Sequence, residues 1–303
     1  MCIIAAKYIK NVGWVLSKNR DQDYISPISF LHSDHPKVGE IFALHDENIE
    51  YKEGMNKQGL VIITTSLTPN LMKETNKEDG AAVYAALSYS DPEEAARFLV
   101  KKKITGFIFL ATPEKLVLIE AAKKDHGDGE YESKVRIVPK TEIVVRTNHG
   151  IDLPWAGFQY GYSDKEDIWR KSSELRKKYA EKAIDKTNTA QDMLLHMAKR
   201  MTDDFQLNQF RIEYKPRQMR TIFQWAFVPS QKIVYIRPIQ AKMKLQDCYG
   251  DIKAKVIDNK DLQKVYNNKI KHLCKILPDE KTGCYKTVIP EQYMSFREYI
   301  NMV

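Results

Sequence analysis

Cys2 is the position at which one residue can supply two catalytic groups. With Met1 removed, which the small thiol side chain permits, the sulfur is a nucleophile. The α-amino group then exposed has an ordinary pKa of roughly 7.7–8.0 and is a base poised near neutral pH. Such a residue needs no second base. Three further stretches follow in order: Asn19-Arg20-Asp21, Glu53-Gly54-Met55-Asn56-Lys57-Gln58-Gly59-Leu60 and Arg146-Thr147-Asn148-His149. Read alone, the aspartates and asparagine also suit ordinary polar turns at strand ends.

Together, these four stretches resemble the N-terminal nucleophile (Ntn) hydrolases of the choloylglycine hydrolase and penicillin V acylase group. These are linear amide C–N hydrolases, with the acyl-CoA:6-aminopenicillanate acyltransferases as relatives. The motifs span about the first half of the chain, and weaker likeness continues to about residue 238. The resemblance implies an α+β fold, a four-layer αββα sandwich of two mainly antiparallel sheets. It also implies attack of the Cys2 thiolate on a linear amide, with Asp21 orienting the free amine. Asn148 and the Ser66 backbone would hold the oxyanion, a task suited to an amide N–H because it does not titrate.

Ser172-Ser173-Glu174-Leu175-Arg176 resembles the segment carrying the family's later active-site arginine, which points to Arg176, with Arg170 as the alternative. Lys18 stands where the bile salt and penicillin V hydrolases have arginine. It keeps the charge but loses the planar fork. Arg20, two positions on and therefore on the same face of a strand, is its joint candidate. His149 is expected to be structural or to contact substrate, because an Ntn nucleophile does not need imidazole. The resemblance implies neither a metal nor an organic cofactor. Maturation would need only a methionine aminopeptidase, no pro-segment preceding Cys2. The substrate would be a small acyl amide of unspecified identity, and a homo-oligomer stays open. An acyltransferase using the same acyl-enzyme is the nearest rival, and a basic nucleic-acid or anion-binding protein is the rival from another class.

With 303 residues, 43% of them hydrophobic, the chain can bury a substantial core. No 18-residue apolar run is present, and the apolar segment at Cys2 is too short for a signal-peptide core, so a cytoplasmic protein is expected. Cys2, Cys248, Cys274 and Cys284 form no CxxC pair and are expected to be free thiols. The net charge of +8 is uneven: residues 151–303 hold 28 Lys+Arg against 19 Asp+Glu, and residues 1–150 hold 20 against 21. Such a surplus favours anionic partners without specifying a fold.

Several elements must position the candidates. Residues 3–8 and 13–18 read as strands joined at Lys10-Asn11-Val12-Gly13, a hairpin returning residues 19–21 to Cys2. Residues 60–65 read as a buried strand, with Gly54-Met55-Asn56 and Lys57-Gln58-Gly59 as its turn, after short apolar pieces between polar turns from residue 36. Asp91 caps a helix running to about residue 103, with Pro92 at its first position. A hairpin over 108–111 and 116–120 follows, then strands over 135–138 and 142–145 that deliver Thr147-Asn148-His149. Trp155, Phe158, Tyr160 and Tyr162 suit either an acyl pocket or packing.

Helices are expected from Ser172 to about 184 and over 188–201, and a last hairpin over 221–228 and 232–237 turns at Pro229-Ser230-Gln231. Residues 2–238 would form the catalytic domain. Residues 239–303, rich in lysine and helical over 261–275, would be an extension packed on it. No repeat of 20–50 residues is visible.

Overall fold

A computed structural model of the chain describes residues 2–22, 28–67, 77–124, 129–199, 207, 209, 211, 219–238, 248–249, 252–257, 275–278 and 285–288. The opening apolar run forms β1 (Cys2–Ile9), which turns at Asn11, in the left-handed region at φ 67°, into β2 (Gly13–Gln22). A meander of seven strands follows: β3 (Ile28–His35), β4 (Gly39–Asp46), β5 (Tyr51–Asn56), β6 (Val61–Thr65), β7 (Gly106–Ala111), β8 (Leu116–Lys123) and β9 (Tyr131–Ile137). Between β6 and β7 lie α1 (Lys77–Ala86) and α2 (Pro92–Lys101). After β9 come β10 (Val144–Arg146), α3 (Asp164–Ile184), α4 (Ala190–Met197), β11 (Arg220–Val228) and β12 (Ile233–Pro238). Short strands complete the described chain: β13 (Cys248–Tyr249), β14 (Ile252–Val256), β15 (Lys275–Pro278) and β16 (Tyr285–Val288).

The first sheet has the order β10-β1-β2-β11-β12-β14-β13, antiparallel except where β14 runs parallel to β12. The second is β3 to β9 in chain order, all antiparallel. Successive side chains of a strand point to opposite faces, and here both faces are covered. Ile4, Ala6, Trp14 and Leu16 of the first sheet pack against Phe42, Ile63, Phe107 and Leu118 of the second. Ile3, Ala5 and Val15, on the other face, meet Ala180 and Ile184 of α3 and Met193 and Leu194 of α4. Ala43, Ile62, Ile108 and Leu110 meet Val83 of α1 and Ala96 and Leu99 of α2. The result is the four-layer αββα sandwich of two mainly antiparallel sheets. Burial on both faces is why β6, β7 and β8 read as continuous apolar runs rather than alternating ones.

Several boundaries differ from the sequence expectation. Strands β3 to β5 occupy a stretch that reads as short apolar pieces and turns. β3 is a sheet edge whose outward positions are His32, Asp34 and other polar residues, and this masks its period. Gly54-Met55-Asn56 is strand, not turn. A Cβ on Gly54 would sit 2.0 Å from the Phe42 carbonyl oxygen, so the close approach of β4 requires glycine there. The turn proper is residues 57–60, with Gly59 at φ 89°. α3 begins at Asp164, well before Ser172, capped by the Ser163 hydroxyl, which accepts from the Glu166 N–H at 3.2 Å. The Ser163-to-Glu166 spacing is a capping-box signal readable in the sequence.

α1 has no clear signal in the sequence. Gly80 in its middle lowers helix propensity, yet a Cβ there would meet the Glu50 carbonyl at 2.2 Å. α4 stops at Met197, and residues 200–201 of the expected helix lie outside the described residues. So do residues 261–274 of the expected C-terminal helix, whereas Lys275 opens β15. β14, from the lysine-rich stretch, joins the first sheet beside β12.

Two anchors fix the helical layer over the Cys2 strand. Lys7 of β1 donates to the carbonyl oxygens of Ile184, Asp185 and Thr187 at 3.3, 2.5 and 2.9 Å, where the α3 dipole favours a cation. Asn19 of β2 donates to the carbonyls of Met197 and Gln209 at 3.0 and 2.7 Å and accepts from Gln224 at 2.7 Å. The first residue of the Asn19-Arg20-Asp21 motif therefore ties β2 to α4 and β11.

Candidate active site

Cys2 is buried at the start of β1. Antiparallel pairing sets Cys2 opposite Arg20, and on the other side β1 pairs with β10 through Ile4 and Arg146. β10 ends at Arg146, and Asn148 follows two residues on, beyond the paired strand. Residues two apart share a strand face, so Cys2, Lys18 and Arg20 lie on the face that carries Ile4 and Leu16 toward the second sheet.

A buried network surrounds this corner. Arg176 of α3 donates from Nη1 to Asp21 Oδ2 at 3.3 Å and from Nη2 to Asn148 Oδ1 at 3.0 Å. Asp21 also accepts from the Thr221 hydroxyl at 2.8 Å, and Arg211 Nη1 stands 3.6 Å from its Oδ2. The Asn148 amide donates to the Ser66 carbonyl at 2.9 Å and to Thr65 Oγ1 at 3.2 Å, linking β10 to the end of β6 in the opposite sheet. Burial, then the Arg211 charge, lowers Arg176 from its ordinary pKa, against the opposing pull of Asp21 and Cys2. Arg20 goes the other way. Burial lowers it, but the electrostatic pull of Asp46, then of Cys2 and Glu53, outweighs that and its pKa rises. Cys2 thus lies within electrostatic reach of two guanidinium groups, one from each side of the first sheet.

Lys18 and Arg20 take separate carboxylates of the second sheet. Lys18 donates to Glu53 Oε1 at 2.5 Å, and Arg20 forms a buried ion pair with Asp46. Glu53 opens one of the motif stretches without a role assigned to it, and Asp46 lies in none of them. A carboxylate within a strand must be paired if it is buried.

The loop carrying Asn148 is held from below by another such residue. Glu120, fully buried in β8, accepts from the N–H groups of Ile151, Asp152 and Leu153 at 2.7, 2.8 and 3.0 Å. Asn148's own N–H donates to Ser173 Oγ at 2.8 Å, so Ser173 of the serine pair positions the backbone there.

His149 is tied to the same serine. Its Nδ1 lies 2.8 Å from Ser173 Oγ and 3.1 Å from Thr147 Oγ1. Burial, then the Arg170 charge, pushes its pKa down to about 4, so the imidazole is neutral near pH 7. Arg170 itself donates to Glu174 at 2.7 Å and to the Phe158 carbonyl at 3.0 Å. Its hydrogen bonds therefore go elsewhere than to Asp21 and Asn148, the partners Arg176 takes. The four aromatics do not line one wall: Phe158 is buried against Trp169, while Tyr160 and Tyr162 are exposed.

The depressed His149 value sets a pH dependence. A histidine with an ordinary pKa of 6.5 unfolded and about 4 folded stabilises the native state fully above pH 6.5, and that contribution is lost as pH falls toward 4. The loss is on the order of 2–3 kcal/mol. Asp79, raised to about 6 by burial, works in the opposite sense over much of the same window, so the comparison must be differential. Relative to wild type, His149→Gln is expected to lose less unfolding free energy between pH 7 and pH 4.5. Urea titrations at both pH values check this, and identical pH dependence in the two proteins would contradict it.

No family model matches the chain, and no curated protein matches it. Among solved structures it is similar to penicillin V acylase from Agrobacterium tumefaciens, with 11% identity, 78% of this chain and 86% of that chain covered, and a TM-score of 0.41. It is also similar to the C2A mutant of conjugated bile acid hydrolase from Clostridium perfringens, with 12% identity, 78% and 89% covered, and a TM-score of 0.47. Among the described residues, no helix is long and apolar enough to cross a membrane.

Proposed function

We propose that the chain is an Ntn-type amide hydrolase whose nucleophile is Cys2, acting on a linear acyl amide. With Cys2 as the first residue, its amine takes the thiol proton and the sulfur attacks the carbonyl carbon. A C–S bond forms, the C–N bond breaks, and the proton passes to the departing amine. Water, deprotonated by the same amine, then cleaves the thioester to release the acid and restore the thiol. Asp21 orients the amine. Asn148, with the Ser66 backbone N–H, receives the oxyanion, for which the Asn148 amide must exchange its bond to the Ser66 carbonyl for one to substrate. Arg176 holds Asp21 and Asn148 in place from α3. His149 keeps a structural place beside Ser173.

The observation that carries this reading is the pairing of Cys2 with Arg20 together with the buried Arg176, which joins Asp21 to Asn148 within electrostatic reach of Cys2. The rival reading as a basic binding protein is weakened by burial. Arg176, Arg211, Arg220 and Arg237 contribute to the positive surplus of the second half yet are buried, so they do not form a surface for an anionic polymer.

The test is intact-mass analysis after incubation with a panel of acyl amides. The expected result is a chain lacking Met1 that gains the mass of the acyl group on Cys2. A chain that begins at Cys2 yet forms neither adduct nor product with any amide would refute the proposal. Repeating the incubation with a free amine acceptor separates hydrolysis from acyl transfer, since both share the thioester.

A further inference from the structure

Arg211 belongs to none of the motif stretches, yet it is nearly as deeply placed as Arg176, at 1% exposure. Three contacts fix it. Its N–H donates to the Thr221 hydroxyl at 2.9 Å, and its carbonyl accepts from the Thr221 N–H at 2.8 Å. Its side-chain Nη2 donates to Ser172 Oγ at 2.8 Å, and Nη1 stands 3.6 Å from Asp21 Oδ2. The same Thr221 hydroxyl donates onward to Asp21 Oδ1 at 2.8 Å, so β11 sets the Arg211 backbone and the Asp21 carboxylate from one point. The serine pair of α3 is thereby divided: Ser172 holds Arg211, and Ser173 holds the Asn148 N–H.

One fully buried carboxylate thus faces two guanidinium groups, and the cluster carries a net positive charge. β2 runs antiparallel to β1, so Asp21, the residue after Arg20, sits past Cys2 on the side of the nitrogen that loss of Met1 frees. An aspartate alone at that place would hold the amine as an ammonium ion, because a nearby opposite charge favours the ionised form. A protonated amine cannot take the thiol proton. The other groups around this corner leave the surplus in place. Arg20 and Lys18 are balanced by Asp46 and Glu53 of the second sheet. Besides Thr221, β11 brings Arg220, opposite Gln22, and α4 brings the buried His196, neither of which adds negative charge. The loop after β10 brings Asn148 and a His149 that is neutral near pH 7.

We propose that Arg211 is a positioning residue of the Cys2 centre, acting through Asp21: with Arg176 it outweighs the aspartate by two charges to one and so keeps the freed amine neutral, as a base. The proposal rests on the hydrolase reading. Asp21 then orients the amine without fixing a proton on it. Arg176 already registers the surplus, since the Arg211 charge lowers its pKa more than Asp21 raises it.

The test follows kcat/KM against pH for wild type, Arg211→Met and Arg211→Lys, on an amide that gives turnover and with protein shown by mass to begin at Cys2. In parallel, alkylation of Cys2 by iodoacetamide, quantified on its own peptide, reads the ionisation of the coupled thiol and amine without turnover. Arg211→Met is expected to move the acid limb of both profiles to higher pH by about one unit, because loss of a cation favours the ammonium and the neutral thiol. Arg211→Lys keeps the charge and should restore the wild-type limb. A slower Arg211→Met with unmoved limbs, or equal shifts in the Met and Lys variants, would show a role in packing alone and overturn the proposal. Where denaturation shows that Arg211→Met does not fold, Ser172→Ala decides, since it deletes the oxygen that anchors Arg211: a limb displaced to higher pH upholds the proposal, and an unmoved one overturns it. Absence of turnover and of any Cys2 adduct across the acyl amides removes the hydrolase reading, and the alkylation limb still decides the charge effect of Arg211 on its own.

Discussion

Cys2→Ala is expected to reduce amide turnover to the uncatalysed background, a loss of at least about 10⁴-fold, as is usual when the nucleophile of a covalent mechanism is removed. Every step of the proposed cycle runs through the sulfur, so no partial pathway survives. The change is mild for the fold. Cys2 is buried at the end of β1, and truncation to alanine deletes one atom, so the loss of stability should stay near 1 kcal/mol. Cys2→Ser keeps a nucleophile on the same residue as the amine and is expected to retain some turnover. Progress curves with matched denaturation midpoints provide the check. Hydrolysis by Cys2→Ala at the wild-type rate would reject the mechanism outright.

Asp21→Asn is expected to act on stability and activity together. Asp21 is fully buried, with Arg176 Nη1 at 3.3 Å and Arg211 Nη1 at 3.6 Å from one carboxylate oxygen. Asparagine preserves the shape and removes the charge, leaving two guanidinium groups facing each other in a dry site. Breaking a buried pair from one side typically costs about 3–5 kcal/mol. Arg176, whose pKa burial and Arg211 already pull down, would lose the partner that opposes them. The Arg176 contact with Asn148 depends on the same placement, so the proposed oxyanion donor should shift as well. Urea unfolding should show the lost stability, and turnover at a temperature where the variant is folded should fall by more than 10²-fold. A variant as stable as wild type would mean that Asp21 does not neutralise this cluster.

The motif residues differ in how well the sequence conveyed their place. The hairpin of β1 and β2 was readable because apolar runs flank a short turn, and a two-strand return can only bring residues 19–21 beside Cys2. Asp91 with Pro92 announced α2, and its side chain does accept from the Glu93 N–H. The Ser163-to-Glu166 cap is equally readable and marks the true start of α3, ahead of the serine pair inside the same helix. The carboxylates Asp46, Glu53 and Glu120 could not be assigned partners in advance. Each has a partner at least 26 positions away, across a layer or in a distant loop, beside the nearer donors Asn48 and Thr64 of Asp46 and Glu53.

The amino-acid sequence by itself determined that Cys2 heads an apolar strand and that the next strand returns polar residues to it, properties set locally by residue type, turn chemistry and period. The αββα layering was legible only through the resemblance of the motif stretches to the Ntn hydrolases. Only the tertiary structure decided that Arg20 lies opposite Cys2 while Lys18 is committed to Glu53, and that Arg176 rather than Arg170 bridges Asp21 and Asn148. Those choices depend on strand register and on how α3 is clamped over β1, and a one-residue slip would send every side chain to the opposite face.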